Sequence, residues 1–164
     1  LLHLSVLLAA KGLTNPDALP GEVTNEPYQY QDVADKTALG TALTHVWALL
    51  QALEKGLGLT PPKDPQHAVL LARHTELKDL RDRLIAVLGT DRPHQDGHYE
   101  LPSITDAASL QAAQTVLELK LLDGLAGAVA AAGEKDWLNE ALAQVPCVQA
   151  LGGKLPAWPG WVHS

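Results

Sequence analysis

Three stretches of about 25 residues carry leucine or alanine at alternating three- and four-residue steps, a period that confines the chain to helices packed along one face. In the first, Leu39, Leu43, Val46, Leu50, Leu53 and Leu57 form one row. Asp32 is its expected capping residue, and Gly56, Gly58 and Pro61-Pro62 are its expected stop. The second starts at Asp64 with Pro65 in its first turn and runs through Leu70, Leu77, Leu84 and Leu88 to Gly89. A polar loop follows over 89–104. Thr105 is the expected cap of the third, which carries Leu110, Leu117, Leu121, Leu125 and Ala128 toward Gly133. A fourth, shorter segment from Glu134 to Leu151 sets Trp137, Ala141, Leu142, Val145 and Val148 on an apolar row. Pro146 is expected to kink or split it, because proline removes a ladder donor and crowds the preceding turn. Nothing reads as a β-strand of more than a few residues.

The first three helices each span roughly 37 Å at the standard rise, and matched lengths favour an all-α, antiparallel four-helix bundle. The bundle occupies 32–164 and ends in an aromatic tail. Residues 1–31 form an N-terminal extension: a short apolar helix, then a connector interrupted by proline, glycine and asparagine. The 31 Leu and 24 Ala supply the core of a single domain. With 19 Asp and Glu against 12 Lys and Arg, the net charge is −7, and no basic stripe exists to neutralise a phosphate backbone. Nucleic acid is therefore not an expected partner. Cys147 stands alone, which excludes a disulfide framework.

Leu1–Ala10 is almost purely apolar but falls short of the roughly 18 residues a spanning helix needs, so no transmembrane span is expected. Three readings stay open for it: the end of a signal segment, a short helix packed on the main body, or a helix docking on a partner protein or membrane surface.

A set of short motifs in fixed order adds to this. They are His74-Thr-Glu-Leu-Lys78-Asp79-Leu80, Tyr99-Glu-Leu101-Pro102, Ile104-Thr-Asp106, Leu117-Glu118 and Trp158-Pro159-Gly160. The chain resembles, over about residues 38–160, a ferritin-like family of bacterial, often exported proteins of uncharacterised activity. That resemblance implies a ferritin-like bundle in the cell envelope or periplasm. His45 matches the family's first-helix histidine; Thr44 stands where a glutamate is usual, and Trp158 where a phenylalanine is usual. A ferritin fold does not imply a ferritin reaction. No Glu in the chain has a His three residues later, so the Glu-x-x-His steps of a di-iron site are missing.

Three polar residues nevertheless fall on or beside apolar rows: His45 at a border position, His74 beside Leu70 and Leu77, and Glu118 within Val116-Leu-Glu-Leu-Lys-Leu-Leu122. A carboxylate in such surroundings needs a cation or donor. In one reading, Arg81 or protonated His74 neutralises Glu118 and His45 hydrogen-bonds nearby. In another, His45, His74 and Glu118 converge on one transition-metal ion (Fe, Mn, Zn or Cu), which would make a mononuclear redox or peroxide-detoxifying centre. In a third, the helices are rotated so that the residues never meet.

His94-Gln-Asp96-Gly-His98 reads as a solvated loop with weak metal potential, and Cys147 as a buried, inert thiol. No recognised catalytic motif is present. Trp158 and Trp161 in the non-helical tail are expected to plug an open end of the core or to anchor a protein partner or second copy, as is Leu1–Ala10 in its docking reading. The expectation is a non-catalytic structural or binding module without a cofactor, with the mononuclear metal centre as its rival.

Overall fold

The computed structural model describes residues 35–132 and 135–155. They form helices α1 (Asp35–Leu59), α2 (Pro65–Leu88), α3 (Ala107–Ala132) and α4 (Lys135–Ala150), with a single 3-10 turn at Gly89–Asp91. No strand occurs among the described residues. The expected N-terminal helix and connector, Asp32, Gly133, Glu134 and the Trp158/Trp161 tail lie outside them.

Each helix buries the row the period marks out. Leu39, Leu43, Val46, Leu50 and Leu53 of α1 meet Leu70, Leu77, Leu84 and Leu88 of α2 and Leu110, Leu117, Leu121 and Leu125 of α3 in one core. Trp137, Ala141, Val145 and Val148 join it from α4. α1 is buried on further sides as well, through Ala42, Trp47, Ala48, Leu49 and Ala52, because it packs against both α2 and α3.

The contacts fix the topology. Lys36, at the start of α1, pairs with Asp91 beyond the end of α2, and Glu54 near the end of α1 faces His74, so these two helices are antiparallel. Gly56 of α1 lies against Leu110 of α3, and Ala42 against Gly124, so α1 and α3 are antiparallel too. α2 and α3 therefore run parallel, on a diagonal. Between them the chain must return the length of the bundle, about 30 Å for the 20 residues from Lys36 to Gly56. The segment after Asp91 makes that return along α1: Pro93 rests on Gly40, and the Tyr99 N–H donates to Gln51 Oε1 at 3.0 Å. The Tyr99 hydroxyl accepts from the Asp96 N–H at 3.1 Å, and the buried ring pins the strap midway. The result is an all-α four-helix bundle with one long crossover, consistent with the ferritin-like arrangement expected.

Local chemistry explains most of the ends. Asp64 caps α2, its Oδ1 accepting from Gln66 N–H at 2.8 Å; Pro65 occupies the first turn, and Gly89 closes the helix at φ 56°, donating to the Ile85 carbonyl. The cap of α3 is Asp106 and not Thr105. Asp106 Oδ1 accepts from Ser109 N–H at 2.8 Å, and Ser109 Oγ accepts in return from the Asp106 N–H at 3.0 Å. The Ser109 N–H, together with the Ser109 hydroxyl that donates to the same Oδ1 at 2.7 Å, holds the Asp106 carboxyl below its ordinary range.

α1 ends at Leu59, within the expected stop over Gly56, Gly58 and Pro61-Pro62. Gly56 lies against α3: a Cβ there would lie 2.6 Å from Leu110 Cδ2. Pro146 does not split α4; it sits on the exposed side of an unbroken helix.

Candidate functional site

Among the described residues the one fully buried carboxylate is Glu118, 1% exposed, on the α3 row that faces α2 and α4. Its partner is Arg73 of α2. The guanidinium meets it fork to fork, Nε donating to Oε1 at 2.9 Å and Nη2 to Oε2 at 2.7 Å. Arg73 Nη2 also donates to Gln144 Oε1 of α4 at 2.6 Å. The Gln144 amide donates in turn to the Glu118 carbonyl at 3.2 Å and to Glu118 Oε2. At the solvent edge, Arg73 Nη1 donates to Glu76 Oε2 at 2.9 Å. The group thus ties three helices together and bridges α2 to α4, whose backbones approach each other less closely than the neighbouring pairs do.

Burial works against the Arg73 charge, but the hydrogen bonds and attraction of Glu118 outweigh it and hold the guanidinium above its usual pKa. Bidentate arginine–carboxylate geometry is among the strongest pairings available, and the buried oxygens have no need of water.

The expected neutralisers of Glu118 are elsewhere. Arg81 turns to its neighbour Asp82, with Nη2 to Oδ1 at 2.7 Å. His74 looks across the other seam, its Nε2 3.5 Å from Glu54 Oε1 of α1. His45 is half-buried, and burial, helped by the nearby Lys120 charge, lowers its pKa, favouring the neutral ring. Among the described residues, no group of three or more His, Cys, Asp and Glu side chains comes together as a metal cage would require. His45, His74 and Glu118 are therefore not gathered in one place, and the two Glu118 oxygens face cationic and amide donors.

The sequence reading missed Arg73 and Gln144. Arg73 lies four residues before Leu77, on the buried row, and that was its available signal. Choosing between Arg73 and Arg81 requires knowing which flank of α2 faces α4, and helical periodicity is blind to that.

The architecture is shared with a bacterial protein. A solved structure of a conserved hypothetical protein from Mycobacterium tuberculosis superposes with a TM-score of 0.62, covering 74% of this chain and 93% of that one at 20% identity. At that identity the likeness concerns the fold alone. No known family profile and no curated protein matches the chain.

The remaining polar features are modest. The Cys147 thiol is pushed up by burial, with Glu118 and Glu76 adding to the shift and Arg73 opposing it, and Sγ lies 3.7 Å from the Ala143 carbonyl. Such a thiol is a poor nucleophile. His94, Asp96 and His98 are all exposed on the crossover. No helix among the described residues is long and apolar enough to cross a membrane.

Proposed function

We propose that this chain is a ferritin-like bundle of the bacterial cell envelope that acts as a non-catalytic structural or binding module within a larger assembly. The observation that carries this reading is the Arg73 fork on Glu118. A metal-binding bundle keeps its inward carboxylates free to hold cations, whereas here a fixed organic cation spans both oxygens. Such a pair joins helices in a set register and leaves no anionic oxygen facing open space. The envelope placement rests on the sequence resemblance. Protein contacts are assigned to Leu1–Ala10 and to Trp158 and Trp161.

The rival, a mononuclear redox centre on His45, His74 and Glu118, requires Glu118 to leave Arg73 and His74 to turn away from Glu54. The test is metal content. The full chain is incubated with Fe(II), Mn(II), Zn(II) or Cu(II), desalted, and measured by mass spectrometry of the elements. Far less than one ion per chain is expected, unchanged in Glu118→Gln. One ion per chain that disappears in Glu118→Gln would overturn the reading.

A further inference from the structure

A cleft of about 900 Å³ opens where the crossover leaves α2, well away from the Arg73 group. Ile85 and Ala86 of α2 and Pro93 of the crossover give it an apolar wall, and Thr90, Arg92 and Gln95 form its polar side. No carboxylate lines it, although the chain carries a net charge of −7. Arg92 is exposed and has no ion-pair partner among the described residues.

The point at which the chain enters the bundle decides which segment can cover this face. α1 begins at Asp35, and its second residue, Lys36, pairs with Asp91, which stands between the lining residues Thr90 and Arg92. Gly40, one turn further, lies against Pro93. The residues just before Asp35 therefore arrive at the mouth of the cleft. Their chemistry is complementary to it. Residues 12–34 hold the acids Asp17, Glu22, Glu26 and Asp32 and no Lys or Arg, so an anionic segment meets a cleft whose one charged lining group is a guanidinium. Glu26, Tyr28, Tyr30 and Asp32 also alternate with Pro27, Gln29 and Gln31, so in extended backbone those four side chains share one face. Tyr30 stands five residues ahead of Asp35, within a reach of about 17 Å. A tyrosine ring is apolar with a polar tip, which fits an apolar wall open to water on one side. The C-terminal tail is the poorer match, because it starts toward the opposite end of the bundle, where Gly153 packs against Thr115 of α3.

We propose that residues 26–32 of this chain dock in the cleft as an extended segment. The Tyr28 and Tyr30 rings lie on Ile85, Ala86 and Pro93, and a flanking carboxylate, Glu26 or Asp32, accepts from the Arg92 guanidinium. Because the segment is tethered beside the cleft, modest contacts suffice to hold it. Docking anchors the N-terminal extension to the bundle. This inference is independent of the Arg73 group and of the function proposed above.

The test uses the two isoleucines, Ile85 in the cleft and Ile104 at the far end of the crossover. Methyl-labelled isoleucine in the full chain gives two NMR signals, assigned with Ile85→Val. The Ile85 methyl is expected to show nuclear Overhauser contacts to the Tyr28 and Tyr30 rings that vanish in the double variant Tyr28→Leu/Tyr30→Leu. That variant should shift the Ile85 signal and leave Ile104 in place. Arg92→Gln, an exposed substitution that keeps the fold, should weaken the contacts about twofold, as should high salt. An Ile85 signal indifferent to the two tyrosines, or contacts unchanged in Arg92→Gln, would overturn the proposal. Contacts found only between differently labelled chains in a mixed sample would overturn it too, naming a second copy as the occupant.

Discussion

Glu118 has given up nearly all contact with water, and only a well-formed partner offsets so large a desolvation. Removing one member of the pair should therefore be far worse than removing both. Arg73→Met leaves a buried carboxylate facing Gln144 alone, and Glu118→Leu leaves a half-buried guanidinium with only Glu76 and Gln144. Each is expected to cost about 3–5 kcal/mol, and the double variant less than either. Urea unfolding of the four proteins measures this, and additive losses would contradict the coupling. His45 gives a second residue-level expectation. Its folded pKa is below the unfolded value of 6.5, so between those values the unfolded chain holds a proton that the folded chain lacks. Its contribution to stability is complete above pH 6.5 and declines as pH falls toward the folded pKa. His45→Gln removes that decline, so the urea midpoints of wild type and variant should change their separation between pH 7.5 and 5.5, with wild type losing more. Equal losses would contradict it.

Helix α3 contains two interior glycines with opposite roles. At Gly124 a Cβ would lie 3.1 Å from Ala42 Cα and 3.3 Å from its nitrogen, which is backbone that cannot swing aside. At Gly127 nothing lies within 4 Å among the described residues. Gly127→Ala is expected to stabilise by about 0.5–1 kcal/mol through helix propensity alone. Gly124→Ala makes the same propensity gain but forces α1 and α3 apart, at a cost of about 1–3 kcal/mol, so its net effect should be destabilising. Thermal unfolding of the two variants decides this by the sign of each shift. The same contrast bears on Gly56, which lies three residues before the end of α1 and also against Leu110 of α3. A glycine that ends a helix and one that admits a neighbouring helix look alike until the neighbour is known. Thr105 was an equally plausible cap on residue type, and the choice fell to Asp106 because Ser109 stands three residues on to complete the reciprocal bond.

For the molecule as a whole, the four helices and most of their core rows could be read from the chain, because apolar period is a local property. Leu70, Leu77, Leu84 and Leu88 announce their own burial. Glu118 announced a need for a partner in the same way. The identity of that partner did not follow, since it depends on the crossover. By returning along α1, the strap makes α2 and α3 parallel and brings Arg73 across the diagonal, and no window of sequence contains that path. The same arrangement gives the fold a built-in test of its own assembly. The cation resides in the α1–α2 hairpin, while the anion and its amide companion reside in the α3–α4 hairpin. Either half made alone would carry a mismatched interior, satisfied only by docking its complement in the correct alignment, so the halves act as mutual proofreaders.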